Sequence, residues 1–72
     1  MEYFDYETVA RQAGLTSEQL QLLAEAVRRD YPSDPMLFEL HVFRACRAIR
    51  DGAVSFEQVI AEPAGASPGH KT

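Results

Sequence analysis

The chain has one cysteine, Cys46, so no intramolecular disulfide can staple it. A lone thiol without a basic-then-apolar leader suits a reducing compartment, and the acidic start "MEYFDYE" has no such order, so the cytoplasm is the expected location. Soft metal ligands are equally scarce. Cys46, His41 and His70 do not pair at a ligand spacing, so neither a metal site nor a cofactor is expected. No apolar run approaches the length of a membrane span. Positive charge is in deficit, with a formal net charge of −4, which argues against general affinity for nucleic acid or anionic lipid. The chain also lacks a glycine-rich phosphate loop, a pair of carboxylates in apolar surroundings and a serine in a strained turn. With so few groups able to do chemistry, the expectation is a protein that is not an enzyme and takes no small-molecule substrate. A domain this small also promises little room for a ligand cleft.

What is present is helical patterning over 72 residues, 46% of them hydrophobic. The expected fold is all-α, a small bundle of four helices at about 3–13, 17–31, 35–51 and 56–62. Residues 1–62 would form a single domain, and "PAGASPGHKT" a disordered tail over 63–72. Tyr6, Val9, Ala10 and Ala13 recur at helical spacing, and Gly14 supplies a stop. Phe4 falls off that stripe, free to fold back or to meet a partner. "TSEQ" has the capping-box spacing of Thr16 and Gln19, and Leu20, Leu23, Ala24, Val27 and Tyr31 make the inner stripe of the second helix. Asp34 followed by Pro35 is a strong start for the third, and Gly52 closes it. "SFEQ" repeats the capping box for a short fourth helix ending before Pro63.

The third helix, within "PMLFELHVFRACRAIRDG", is apolar over more than one face. At about 100° per residue, Phe38, Val42, Ala45 and Ile49 share one side, flanked by Leu37, His41, Cys46 and Ala48. That side reads as the core face, with Cys46 on its rim as an inert thiol and His41 at its edge. Met36, Leu40 and Phe43 gather opposite, beside Arg44, Arg47 and Arg50. One reading makes this helix central, with the first two helices covering one side and the fourth crossing the other. The second leaves Met36, Leu40 and Phe43 exposed as an apolar patch rimmed by Arg44 and Arg47, the composition of an interface. Burying each such side chain is worth roughly 1.5–3 kcal/mol, a large gain for so small a domain. Self-association is the simplest way to cover them, and a two-fold contact would let Arg44 or Arg47 of one chain meet Glu39 of the other. The expected function is therefore protein–protein association, as a homodimer or an accessory subunit.

A different class of function has one motif behind it. In "TVARQAGLTSEQLQLLAEAV", Val9, Ala10, Ala13, Gly14, Leu15, Leu20 and Leu23 sit where a DNA-binding helix-turn-helix places its apolar residues and turn glycine. The stretch resembles that motif over about residues 9–24. The resemblance implies a transcriptional regulator whose second helix reaches base edges through Ser17, Gln19 and Gln21. Against it stand Glu18 beside those residues and the acidic balance of the chain, which make nucleic acid the less favoured partner. The plainer alternative is that Gly14 and Thr16 end one helix and begin the next.

Overall fold

A computed structural model describes residues 3–61, and all of their regular structure is helical. The four helices are α1 (Tyr6–Gln12), α2 (Ser17–Asp30), α3 (Pro35–Arg50) and α4 (Phe56–Ala61). The tail expected at 63–72 lies outside the described residues.

Each helix starts where a side chain can occupy its free amides. Thr16 and Gln19 form the full capping box: Gln19 N donates to Thr16 Oγ1 at 3.1 Å, and Thr16 N donates to Gln19 Oε1 at 2.9 Å. Ser55 and Gln58 repeat the exchange at the head of α4, at 3.1 and 2.8 Å. Asp34 accepts from Leu37 N at 3.0 Å, with Pro35 in the first turn of α3. Gly14 and Gly52, each at φ 80°, turn the chain out of α1 and α3 in a conformation that a side chain would strain.

The first helix departs from expectation. It begins at Tyr6, not near residue 3, because Asp5 is its cap. The Asp5 carboxylate accepts from Thr8 N at 3.3 Å and from Thr8 Oγ1 at 2.7 Å. These bonds, the hydroxyl one first, hold its carboxyl below the usual carboxylate range. Tyr3 and Phe4 are left outside the helix and run to α3 instead. The backbone amides of both donate to Glu39 Oε1, at 2.8 and 3.1 Å.

Packing is organised around α3. Helices α1 and α2 both lie against it, while α4 lies against α2. This corrects the expectation that the short last helix crosses the far side of α3. The core consists of Val9 and Ala10 from α1, Leu23 and Val27 from α2, and Phe38, Val42 and Cys46 from α3. Tyr6, Leu20, Ala24 and Tyr31 pack around it as the stripes of α1 and α2 anticipate, and Phe56, Val59 and Ile60 of α4 close one side. Tyr6 meets Phe38 edge-on with ring centroids 6.3 Å apart, and the Arg28 guanidinium covers the same Phe38 ring at 3.8 Å. That stacking gives Arg28 a packing role beyond its favourable place at the negative end of α2.

The buried face of α3 is not quite the expected one. Phe38, Glu39, Val42 and Cys46 are buried, whereas Ala45 and Ile49 are only half-buried. At 3.6 residues per turn the inward face is therefore turned by about 45° toward Phe43. The turn carries Cys46 from the expected rim to full burial, and it carries Glu39 from the expected margin into the interior. A carboxylate tolerates that position only with hydrogen-bond donors, and the two N-terminal amides supply them.

Candidate functional site

The far side of α3 is where the structure leaves apolar surface uncovered. Met36 is 48% exposed, among the largest exposed hydrophobic residues of the described chain. Leu40, one turn on, is half-buried and stands outside the core cluster. Phe43, a further turn on, is half-buried, packs on the core edge and is covered in part by Phe4, whose ring centroid lies 5.6 Å from its own. Phe4 thus folds back over its own domain. The three proposed anchors form a graded strip, open at Met36 and increasingly covered toward Phe43.

Arg44 and Arg47 are exposed beside this strip. Arg50 leaves the ridge. Its Nε donates to Asp51 Oδ1 at 2.9 Å and its NH1 group donates to Gln12 Oε1 at 3.0 Å, which ties the end of α3 to the end of α1. Glu39 does not lie on the rim at all. It is 7% exposed and engaged with the Tyr3 and Phe4 amides, so it is not placed to meet an arginine of a second copy. The acidic half of the expected two-fold ion pair is therefore missing from this face.

The strap formed by Tyr3 and Phe4 was not legible as part of the site, although two signals for it were present. Asp5 and Thr8 have the spacing of a helix start, which places Tyr3 and Phe4 outside α1. Glu39 is also the lone acid in the apolar run "MLFELHVF", and an acid buried there has to find donors. Tyr3 is 50% exposed and adds a second apolar side chain to the segment that crosses α3.

The helix-turn-helix stretch folds as helix, turn and helix, with Leu15 packed on the core between α1 and α2. Ser17, Glu18 and Gln21 are exposed at the head of α2. Gln19 is committed to the capping box, so its side chain is occupied in reading its own backbone. Between α1 and α2 lies an open groove of about 460 Å3, floored by Ala10, Leu15, Leu20 and Ala24 and edged by Arg11 and Gln21. Its floor is apolar, and Glu7 and Arg11 both line it.

The two residues best suited to chemistry are both satisfied structurally. Cys46 is free and fully buried, and burial pushes its thiol up to about 11, away from the thiolate that a nucleophile needs. His41 stacks on Tyr31 with ring centroids 4.4 Å apart. Its Nδ1 lies 2.8 Å from Leu37 O and its Nε2 lies 3.2 Å from the Tyr31 hydroxyl. A carbonyl only accepts, so Nδ1 donates to it, and Nε2 shares a hydrogen bond with the Tyr31 hydroxyl. His41 thereby links the C-terminal end of α2 to α3. Among the described residues, no three His, Cys, Asp or Glu side chains are grouped to hold a metal ion, and no buried side-chain polar atom lacks a hydrogen-bond partner.

Compared with known proteins, the chain matches no family model, no curated protein and no solved structure. Among the described residues no helix is long and apolar enough to cross a membrane. Leu22, 52% exposed on α2, stands apart from the inner stripe of its helix and is a second large exposed aliphatic group among the described residues.

Proposed function

We propose that this chain is a non-catalytic helical protein that works through protein–protein association, as a homodimer or as an accessory subunit. Met36, Leu40 and Phe43 are its anchors, and Arg44 and Arg47 its rim. The observation that carries the reading is the open end of the α3 strip: Met36 is 48% exposed beside Leu40, and the one helix free to cover them lies against α2 instead. A partner that covers Met36 and Leu40 gains a part of the roughly 1.5–3 kcal/mol that full burial of such a side chain is worth, since both are already partly covered. Rim arginines around an apolar centre are the composition of association surfaces. The buried, protonated Cys46 and the absence of a second cysteine are in keeping with work in a reducing cytoplasm.

Sedimentation equilibrium from low to high micromolar protein, together with recovery of partners from native lysate, tests the reading against Met36→Glu. That side chain is exposed, so the variant should retain the wild-type circular dichroism spectrum. Association by either measure, lost in the variant, is the expected result. A wild-type chain that stays monomeric and recovers nothing that Met36→Glu does not also recover would remove the association reading.

A further inference from the structure

We infer that the partner of the α3 face is an acidic amphipathic helix of another protein, not a second copy of this chain. The inference rests on the association reading and specifies what fills the face.

Shape gives the first argument. Met36, Leu40, Phe43 and Arg47 follow one another at spacings of four, three and four residues along α3. That is the seam by which one helix receives another, with side chains of the partner entering between successive positions. The seam is three turns long, apolar over its first two turns and cationic at its last. A helix aligned with such a ridge repeats at the same interval, meeting Met36 and Leu40 at the open end, the Phe4-covered edge of Phe43 next and Arg47 last.

Charge gives the second. Among the described residues, no acid forms a salt bridge at the cationic end of the seam. Arg44 and Arg47 are exposed, and neither has a salt-bridge partner among the described residues. The carboxylates that α3 and its C-cap place near them are spoken for: Glu39 is buried under the Tyr3 and Phe4 amides, and Asp51 is held by Arg50 at 2.9 Å. A second copy approaching by a two-fold axis brings the same face, with the same two arginines and the same engaged acids. It offers apolar surface but no complementary charge for those arginines. A foreign helix with Glu or Asp flanking an apolar stripe satisfies both halves of the seam. It places leucine-like side chains on Met36 and Leu40 and carboxylates on Arg44 and Arg47, where arginine geometry favours paired contacts.

Two synthetic helical peptides test this, with one identical leucine stripe at heptad spacing, flanked by Glu in the first and by Lys in the second. Their binding to the full chain is read by fluorescence anisotropy at low and high salt. The Glu peptide is expected to bind about tenfold or more tightly than the Lys peptide and to weaken as salt rises. The variant carrying both Arg44→Glu and Arg47→Glu, at exposed positions that leave the fold intact, is expected to reverse that preference. Equal binding of the two peptides, binding of neither, or a preference unchanged in the double variant would overturn the inference. So would sedimentation of the chain alone as a dimer that Met36→Glu dissolves. That last result overturns the acidic partner while leaving association at α3 intact, so the two proposals fail separately.

Discussion

The two long sides of α3 carry similar residues and do different work. On the inner side Phe38, Val42 and Cys46 are enclosed by α1 and α2, and even the polar group among them, Glu39, is tied by hydrogen bonds. On the outer side Met36 and Leu40 have the same chemistry, but Met36 is exposed and Leu40 only half-buried. Hydrophobicity alone does not separate these sides, since Met36 and Phe38 belong to the same apolar run. What separates them is which neighbours the turns deliver. Short loops bring α1 and α2 onto one side, and the last loop sends α4 to α2 instead of to the other. A helix with more apolar surface than its own chain covers is thereby left with one finished face and one open face.

The largest effect is expected where the finished face is deepest. Leu23 is fully buried, and Leu23→Ala should cost about 2–5 kcal/mol. A core of this size supplies only about 3–5 kcal/mol of net stability, so the variant should be largely unfolded by circular dichroism at room temperature. A cooperative, near-wild-type urea transition would mean that the inner face is not the stabilising one.

Glu39 tests the seam between the faces. Glu39→Ala removes the acceptor of two backbone amides and should cost about 1.5–3 kcal/mol in urea unfolding, while Glu39→Gln keeps an acceptor and should cost less. Hydrogen exchange at Tyr3 and Phe4 should quicken in the alanine variant. Unchanged exchange there would show that the strap is held by something other than this carboxylate.

Cys46 sharpens the comparison through pH. Its folded thiol titrates at about 11 against an ordinary 9.0, so the folded chain keeps a proton that the unfolded chain loses. The stability this contributes is complete below pH 9 and is lost as pH rises toward 11, a fall of about 1 kcal/mol by pH 10. Urea midpoints for the wild type and for Cys46→Ala should converge over that interval. Parallel curves would mean that the thiol is less enclosed than its packing indicates. At neutral pH the native thiol should also resist alkylation until the chain is unfolded.

The smallest effect on stability belongs to the open face. Met36→Glu should change the unfolding free energy in urea by no more than about 0.5 kcal/mol, because the side chain already meets solvent. A large loss of stability would show that Met36 belongs with the core and that α3 has no open side.

Much of the fold was legible because it is written in local chemistry. Thr16 with Gln19, Ser55 with Gln58, Asp34 with Pro35, and the glycines at 14 and 52 each act within a few residues, so the starts and stops of α2, α3 and α4 follow from short words in the chain. The start of α1 was equally local, in Asp5 and Thr8, but the apolar Tyr3 and Phe4 read more strongly as the beginning of a helix. The site was legible in part. The outward placement of Met36, Arg44 and Arg47 follows from helical spacing, whereas the cover of Phe4 over Phe43 and the withdrawal of Arg50 to Gln12 do not.

Sequence by itself determined that the chain forms four helices and that the third has apolar residues to spare, since capping and periodicity act along the backbone. Only the tertiary structure decided how far that helix turns on its axis, and with it whether Glu39 or Ile49 faces inward. That choice depends on contacts across more than thirty positions, where the amides of Tyr3 and Phe4 make a buried carboxylate tolerable. Local propensity does not register such a long-range exchange of hydrogen bonds for burial.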